Sequence, residues 1–248
     1  YAGTDSFTYT LTDKDGDSST ATVAITVGSN VPPSITIIDN NGITGGQVTV
    51  NEAALATGSN PSSTAEKASG TITLSASNGV ASINVNGTSF TLAQLNALSG
   101  APQTVNTGEG DITLTNYVAA TGVLSYSYSI TAPQMASGIS VLDSFNITVT
   151  DGASITSAPA TFGATILNDA PTAGDDSFST AINTAATGSV ASNDNMGADV
   201  GGTWALGTAP QHGTVTIDAN TGAYNFVPTT GYAGTDSFTY TLTDKDGD

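Results

Sequence analysis

The sequence predicts an all-β protein made of tandem antiparallel β-sandwiches in an extended chain. Many short segments alternate apolar residues with Ser or Thr, and turns rich in Gly, Asn and Asp separate them. The chain also repeats itself, because the letters YAGTDSFTYTLTDKDGD stand at both 1–17 and 232–248. Identity over that length indicates a tandem array. Such arrays are typical of proteins that span distance or multiply contacts, whereas an enzyme gains little from identical copies.

The strands are predicted from apolar residues at every second position. In the first segment Phe7, Tyr9 and Leu11 share one face, and the residues between them are Thr. A second segment with the same alternation lies at 18–27. The alternation recurs at 124–130 and 145–149, and at 215–226, where the turn 218–222 predicts a hairpin.

One helix is predicted among the strands. Thr91 is suited to cap its amino end, Leu92, Leu95 and Leu98 would share one face, and Gly100 would end it.

A weaker internal match predicts the domain boundaries. Residues 5–7 align with 143–145, Asp13 aligns with Asp151, and the linker 30–33 aligns with 168–171. Two domain types therefore share their last two strands and their exit linker. The predicted units are 1–31 (the C-terminal strands and linker of a preceding repeat), 32–168 (a first β-sandwich extender domain) and 169–248 (a second sandwich lacking its last strand).

This division predicts an open edge on the second sandwich and a spare strand at 18–27. One hypothesis is that the spare strand of one molecule completes the second sandwich of another by strand donation. The alternative is that the chain is a piece of a longer fibre or polypeptide.

Composition excludes several classes of partner. The formal net charge is −18, with three lysines and no arginine, so the surface is unsuited to nucleic acid and to anionic membranes. It favours divalent cations or simple solubility. Only three of the 21 acidic residues are Glu, and Asp suits turns and hard cations. Cysteine is absent, and no apolar run is long enough to span a membrane.

The repeated DKDGD loop is the strongest candidate for a metal site. Alternate aspartates around a Gly can wrap one Ca²⁺, which takes six to eight oxygen ligands. The alternative is an Asp/Gly hairpin turn. The candidate ligands are Asp13, Asp15 and Asp17 in the first copy, and Asp244, Asp246 and Asp248 in the second.

Three other acidic loops are weaker candidates. The loop that starts at Asp151 has lost the second and third carboxylates, so we expect it to bind weakly or not at all. The loop 193–195, with Asp199 after it, is interpreted as a turn, and so is 39–42.

The motifs of the chain resemble the bacterial Ig-like, cadherin-like tandem repeats of giant secreted adhesins. The segments that carry this resemblance at 169–248 are DAPTAGDDSFST, VASND and the stretch from APQHGTVTIDANTGAYNF to the end. The segments VNEAALATGSNPS, ASINVNGTSFTLAQLNAL, DITLTNYVAATGVLSYSYSI and DSFNITVTD, within 32–168, resemble another extender repeat of the same proteins. These are RTX and biofilm-type adhesins, exported by type I secretion in Gram-negative bacteria.

The resemblance implies a tether on the bacterial cell surface for cell adhesion and biofilm formation, with Ca²⁺ near the domain junctions. Asn168 and Asp169 match the ligating linker of cadherins, with Asp175 and Asp176 following. Glu52 and Asp151 would be partners by a looser analogy. Plain linker chemistry is the alternative for Asn168 and Asp169. The linker 29–33 keeps Asn30 but has Val31 in place of the acid, so we expect less metal there.

We therefore expect a non-catalytic spacer or fibre-building unit, stiffened by Ca²⁺ and partnered by neighbouring repeats or other copies of itself. His212 is the one histidine of the chain, and no catalytic triad or phosphate-binding loop is evident. Two alternatives stay open. The repeats could self-assemble into an extracellular filament by strand donation, or bind carbohydrate directly through Trp204 and the tyrosines, which more often belong to a core.

Overall fold

The structure, a computed structural model, describes residues 2–29, 31–39, 41–42, 47–135 and 137–248. The described chain begins with a hairpin of β1 (Gly3–Thr12) and β2 (Ser18–Val27). The two strands pair antiparallel over their whole length, with Phe7 opposite Val23. Nearly every residue of the hairpin is exposed, including the apolar ones, so the hairpin has no core of its own.

Residues 34–167 form a sandwich of two five-stranded sheets, here called the first sandwich. One sheet has the order β3-β5-β10-β9-β8 and the other β4-β12-β11-β6-β7. Their bounds are β3 (Ser34–Ile37), β4 (Val48–Asn51), β5 (Lys67–Ser75), β6 (Val80–Val85), β7 (Thr88–Thr91), β8 (Gln103–Asn106), β9 (Asp111–Val118), β10 (Val123–Ser129), β11 (Ser140–Asp151) and β12 (Ala160–Leu167). The described pairs are antiparallel except for β4 with β12, which is parallel.

The core of the first sandwich lies between these sheets, as the alternation predicts. Along β10 every second residue is buried, from Leu124 through Tyr128. Phe162 lies at the centre and is fully buried. Its ring stacks on that of Phe145 at 5.0 Å and meets the edge of Tyr126 at 5.1 Å. Aromatic pairs of this kind stabilise a core beyond the area they bury.

The predicted helix is confirmed as α1 (Leu92–Ala97). The Thr91 hydroxyl accepts from the Gln94 N–H, and the Gln94 side chain accepts from the Thr91 N–H, which completes a capping box. Leu95 and Leu98 are fully buried against the first core.

The second sandwich, residues 169–248, contains a smaller set of strands. The orders are β13-β16-β15 and β14-β17. The bounds are β13 (Ala186–Ser189), β14 (Thr203–Leu206), β15 (Gly213–Ile217), β16 (Ala223–Pro228) and β17 (Tyr240–Thr243). The predicted hairpin at 215–226 is confirmed as β15 and β16. Val190, Trp204, Val215, Tyr224 and Phe226 form its core.

The two copies of the repeated sequence have different amounts of strand. In the first copy ten residues form β1, because β2 supplies a full ladder beside it. In the second copy only Tyr240–Thr243 form a strand, paired on one side with β14. The predicted all-β fold of mainly antiparallel sandwiches is thus confirmed, while the predicted domain boundaries stay predictions.

Candidate metal centre between the two sandwiches

Three carboxylates of the second sandwich converge beside the first. One oxygen from each of Asp199, Asp244 and Asp246 lies within 4.8 Å of the others. Asp199 is 1% exposed and Asp244 is 5% exposed. Both carboxylate oxygens of Asp199 and of Asp246 are buried without a hydrogen-bond partner, as is Oδ2 of Asp244. Buried charges are normally paired or bound to a cation, so this group has the donor set of a cation site.

The electrostatics of the group are unfavourable without a positive charge. The adjacent Asp244 carboxylate, together with burial and the charges of Asp199 and Asp248, raises the pKa of Asp246 to about 7. Burial is the main cause that raises the pKa of Asp199; the Asp244 charge adds to it and Lys245 opposes it. Protons thus compete with cations for these oxygens.

The DKDGD turn positions Asp244. Its Oδ1 accepts from the N–H groups of Gly247 at 3.0 Å and Asp248 at 2.9 Å, which leaves Oδ2 free to face the other carboxylates. The turn closes with the Asp244 N–H donating to the Asp248 carbonyl at 3.2 Å. Gly247 has φ +104, a conformation that favours glycine.

The loop before β14 positions Asp199 against the first sandwich. The Thr57 hydroxyl donates to the Ala198 carbonyl at 3.1 Å, and Ala198 packs into the first core. Gly197 has φ +69 and lies so close to the Asp169 carbonyl that a Cβ would overlap it. The Lys245 N–H donates to the Asp199 carbonyl at 3.3 Å, which joins this loop to the DKDGD turn.

Glu52 brings a further acid from the first sandwich. It begins a 3₁₀ helix (Glu52–Ala54) and is 1% exposed. Its Oε1 accepts from the Gln134 N–H at 2.6 Å, and its Oε2 has no hydrogen-bond partner. Burial raises the pKa of Glu52, and the nearby charges of Asp199 and Asp169 raise it further.

Asn168 and Asp248 meet at the edge of this region. The Asn168 amide donates to the Asp248 carboxylate and, at 2.9 Å, to the Gly138 carbonyl. The Gly138 N–H donates back to both Asp248 oxygens at 3.0 and 3.1 Å. The remaining amide oxygen of Asn168, Oδ1, is buried and unpaired. Asp248 therefore holds the two sandwiches together through direct hydrogen bonds.

Asp169 also joins the two sandwiches through hydrogen bonds. Its carboxylate accepts from the Ser59 N–H at 2.7 Å and from the Ser59 hydroxyl at 2.5 Å. These two bonds cross from the linker to the first sandwich, and Asp169 is only 8% exposed. Its carboxylate oxygens thus already have partners.

The first copy of the loop gathers its acids but leaves them in solvent. Oxygens of Asp13, Asp15 and Asp17 also lie within 4.8 Å of one another, and all three residues are exposed. Oδ1 of Asp13 accepts from the N–H groups of Gly16 and Asp17, as in the second copy. The same sequence is therefore a solvated turn at one place and part of a buried group at the other.

Besides Glu52, Asn168, Asp169 and Asp248, three further predicted ligands lie outside both carboxylate groups: Asp151, Asp175 and Asp176. Asp151 caps its own turn, accepting from the N–H groups of Ala153 and Ile155, at the opposite end of β11 from the side that faces the second sandwich. Asp176 accepts from the Tyr240 hydroxyl at 3.3 Å, and the Asp175 carbonyl accepts from an amide side chain. Asn30 lies outside the described residues.

Asp199 is the residue that sequence reasoning undervalued. The sequence favours a turn for its loop, and this fits Asp194, whose carboxylate accepts from the Trp204 Nε1–H at 2.7 Å and from the Tyr240 hydroxyl at 2.8 Å. Asp199, five residues on, makes no such bonds. The burial of Asp199 follows from the packing of its loop against the first sandwich, which the sequence does not show.

Comparisons with known proteins bear on the second sandwich. Residues 168–248 match the family model of the bacterial Ig domain. No curated protein matches the chain.

Solved structures resemble the chain only distantly. The sialic acid binding region of a Streptococcus sanguinis SK1 adhesin is 17% identical, with a TM-score of 0.33, over 64% of this chain and 37% of that one. Domains 4 and 5 of the S-layer protein SbsC are 13% identical, with a TM-score of 0.30, over 66% of this chain and 70% of that one. An endo-fucoidan hydrolase of glycoside hydrolase family 107 is 17% identical, with a TM-score of 0.27, over 99% of this chain and 32% of its own length.

Within the described residues, no helix has the length and apolar character needed to cross a membrane.

Proposed function

We propose that this chain is a non-catalytic repeat region of a secreted bacterial surface adhesin, a spacer in which Ca²⁺ stiffens the junction between successive sandwiches. The observation that carries the proposal is the buried group of Asp199, Asp244 and Asp246, whose oxygens, apart from Oδ1 of Asp244, have no hydrogen-bond partner. Repetition of the sequence and the bacterial Ig match of residues 168–248 support the spacer role.

The donor set suits a hard cation of large radius. Ca²⁺ takes six to eight oxygens, and carboxylates and carbonyls are its usual protein ligands. The three aspartates would supply the charged oxygens. Glu52 Oε2 and Asn168 Oδ1, on the side of the first sandwich, are the next unpaired oxygens of this region. With no cysteine and one histidine in the chain, oxygen ligands predominate.

Stiffening follows from the place of the group between the sandwiches. Without a cation, the negative charges of Asp199 and Glu52 repel each other across the junction, and Asp244 repels Asp199 within the second sandwich. A bound Ca²⁺ would turn that repulsion into attraction, and the direct bonds of Asp169 and Asp248 would then be reinforced. Where Ca²⁺ is scarce, the same repulsion would favour a more mobile junction and a chain that is easier to export.

The size of the effect can be estimated from mass action. Extracellular Ca²⁺ sites have dissociation constants of about 10⁻⁴–10⁻³ M. A ligand at ten times its dissociation constant adds about 1.4 kcal/mol to the free energy of unfolding. For a chain of this size, that corresponds to a rise in Tm of about 3–6 °C.

Calorimetric titration with Ca²⁺, paired with thermal melts in EDTA and in millimolar Ca²⁺, tests the proposal. We expect at least one ion bound per chain and a higher Tm with Ca²⁺. Equal melting curves and no heat of binding would contradict the proposal and leave the junction held by its hydrogen bonds alone.

A further inference from the structure

The first sandwich pairs an early strand with its last one, and the two run parallel. β4 (Val48–Asn51) is its second strand, and β12 (Ala160–Leu167) is its last. Val48 lies opposite Ala164, and Asn51 lies opposite Leu167. Among the strands that the structure describes, this is the one parallel pair. The chain therefore enters β4 at one end of the pair and leaves β12 at the other end.

This arrangement loads the pair in shear when the chain is under tension. The β1–β2 hairpin precedes the first sandwich and the second sandwich follows it, so a pull between them acts on the amino end of β4 and the carboxyl end of β12. Because the strands are parallel, the two forces point in opposite directions along the strand axes. The hydrogen bonds of the ladder cross between the strands. They are therefore loaded together rather than one after another.

Gln47 adds two bonds at the end where the load enters β4. Its N–H donates to the Gly163 carbonyl at 2.7 Å, and its side-chain oxygen accepts from the Gly163 N–H. Gly163 lies in β12, directly before the segment that pairs with β4. The loaded end of the ladder is thus held by both the backbone and the side chain of Gln47.

Both faces of the pair are shielded from water. Val48, Val50, Ala164 and Ile166 are almost fully buried and belong to the first core. Thr165, on the opposite face of β12, is buried as well. Water competes for exposed hydrogen bonds, and this competition is weaker at buried positions. Solvent therefore does little to help the ladder open.

The β4–β12 ladder is also the place where a pull is most effectively resisted. β12 lies inside its sheet, between β4 and β11, and pairs with β11 over eight residues. β4 lies at the sheet edge and pairs with β12. β3 receives the load before β4, but its Ile35 and Ile37 are only partly buried. We therefore expect unfolding under tension to be limited by the separation of β4 from β12.

We propose that the β4–β12 pair is a mechanical clamp, by which the first sandwich resists unfolding when the chain is under tension. This rests on the proposed spacer role, because a tether between a cell and a surface is the setting in which the chain is pulled. The clamp does not depend on Ca²⁺, since neither Gln47–Asn51 nor the paired part of β12 contains a carboxylate.

Force spectroscopy with two pairs of attachment points tests the clamp. The chain has no cysteine, so introduced cysteines can carry the handles. Val31→Cys with Ala170→Cys, both at exposed positions, pulls β4 and β12 from opposite ends. Ser62→Cys with Ala170→Cys is the matched control, because Ser62 is exposed and follows β4. Both handles then pull at the carboxyl ends of the strands, and the pairs open successively from Asn51 and Leu167.

Both geometries are measured on the full chain in EDTA. We expect a rupture force that is several-fold higher for the handles at 31 and 170 than for those at 62 and 170. The length released identifies the first sandwich, with roughly 450 Å in the first geometry and roughly 350 Å in the second, at about 3.3–3.6 Å per residue. Equal rupture forces in the two geometries would overturn the proposal.

Two matched core variants provide the second readout. Val48→Ala in β4 and Val105→Ala in β8 make the same truncation at buried positions. Both should lower the free energy of unfolding. Val48→Ala alone should lower the rupture force between 31 and 170, because forced unfolding depends on the barrier and β8 does not belong to the loaded ladder. An equal reduction by Val105→Ala would contradict the clamp.

The clamp and the calcium site fail separately. A calorimetric titration without Ca²⁺ binding would remove the ion from the junction, and the difference between the two pulling geometries in EDTA would remain.

Discussion

Asp199 and Asp244 come from separate loops of the second sandwich, yet their carboxylates meet in one buried group. Neither carboxylate oxygen of Asp199 accepts a hydrogen bond there. Asp199 is held there by the docking of its loop on the first sandwich, and Asp244 by the DKDGD turn. Two like charges at this distance destabilise the folded state unless protons or a cation neutralise them.

The two copies of the repeat provide a matched pair of variants. Asp246→Asn should reduce Ca²⁺ affinity on the order of tenfold or more, because it removes one charged oxygen from the buried group. Asp15→Asn changes the same position of the same local sequence, but in a loop exposed to solvent. It should leave the Ca²⁺-dependent rise in Tm unchanged. Thermal melts of both variants, with and without Ca²⁺, make the comparison.

Equal losses in the two variants would mean that local sequence alone binds the ion. The burial of the second copy would then have no part in binding.

Asp199→Asn should have opposite effects in the two conditions. In EDTA it should raise the Tm, because it removes a buried charge that Asp244 and Glu52 repel. In Ca²⁺ it should lower the Tm relative to the unchanged chain, since a ligand is lost. Asp5→Asn is the control, because it makes the same change in net charge at an exposed residue. A lower Tm in both conditions would indicate that Asp199 has a purely structural role.

Stability in EDTA should fall as the pH rises from about 4 to about 7. The folded pKa of Asp246 is raised to about 7 from an unfolded value of 3.8, so the folded state binds more protons across this range. The free energy of unfolding therefore decreases with pH until both states are ionised. Urea midpoints across this pH range measure the change in stability. Saturating Ca²⁺ should flatten or reverse the dependence of the midpoint on pH. A free energy of unfolding that rises with pH in EDTA would contradict the repulsion between Asp246 and the carboxylates around it.

Ser59→Ala should loosen the junction without touching the carboxylate group. It removes the hydroxyl that donates to Asp169, and a hydrogen bond to a charged group contributes about 1.5–3 kcal/mol. We expect a loss of that size in the free energy of unfolding by urea, in EDTA and in Ca²⁺ alike. Ser62→Ala, an exposed serine of the same loop, is the control. If both variants had the same free energy of unfolding, the hydrogen bond between Ser59 and Asp169 would not stabilise the junction.

The sequence was sufficient for features that depend on neighbours along the chain. Alternation predicted β10 and the β15–β16 hairpin, and the Thr91 cap and its leucines predicted α1. It could not predict the role of Asp199, because the burial of that residue depends on the packing of its loop against the first sandwich. The sequence also could not distinguish Asp15 from Asp246 as a metal ligand. The two residues lie in identical local sequences, and only their burial in the fold differs.

Location of the ion by anomalous diffraction, from crystals of the chain grown in millimolar Ca²⁺, tests the central claim most directly. The account predicts an ion between Asp199, Asp244 and Asp246, within about 2.3–2.6 Å of at least one oxygen of each. A structure with ordered side chains and no ion among these three carboxylates, at a Ca²⁺ concentration that raises the Tm, would contradict it.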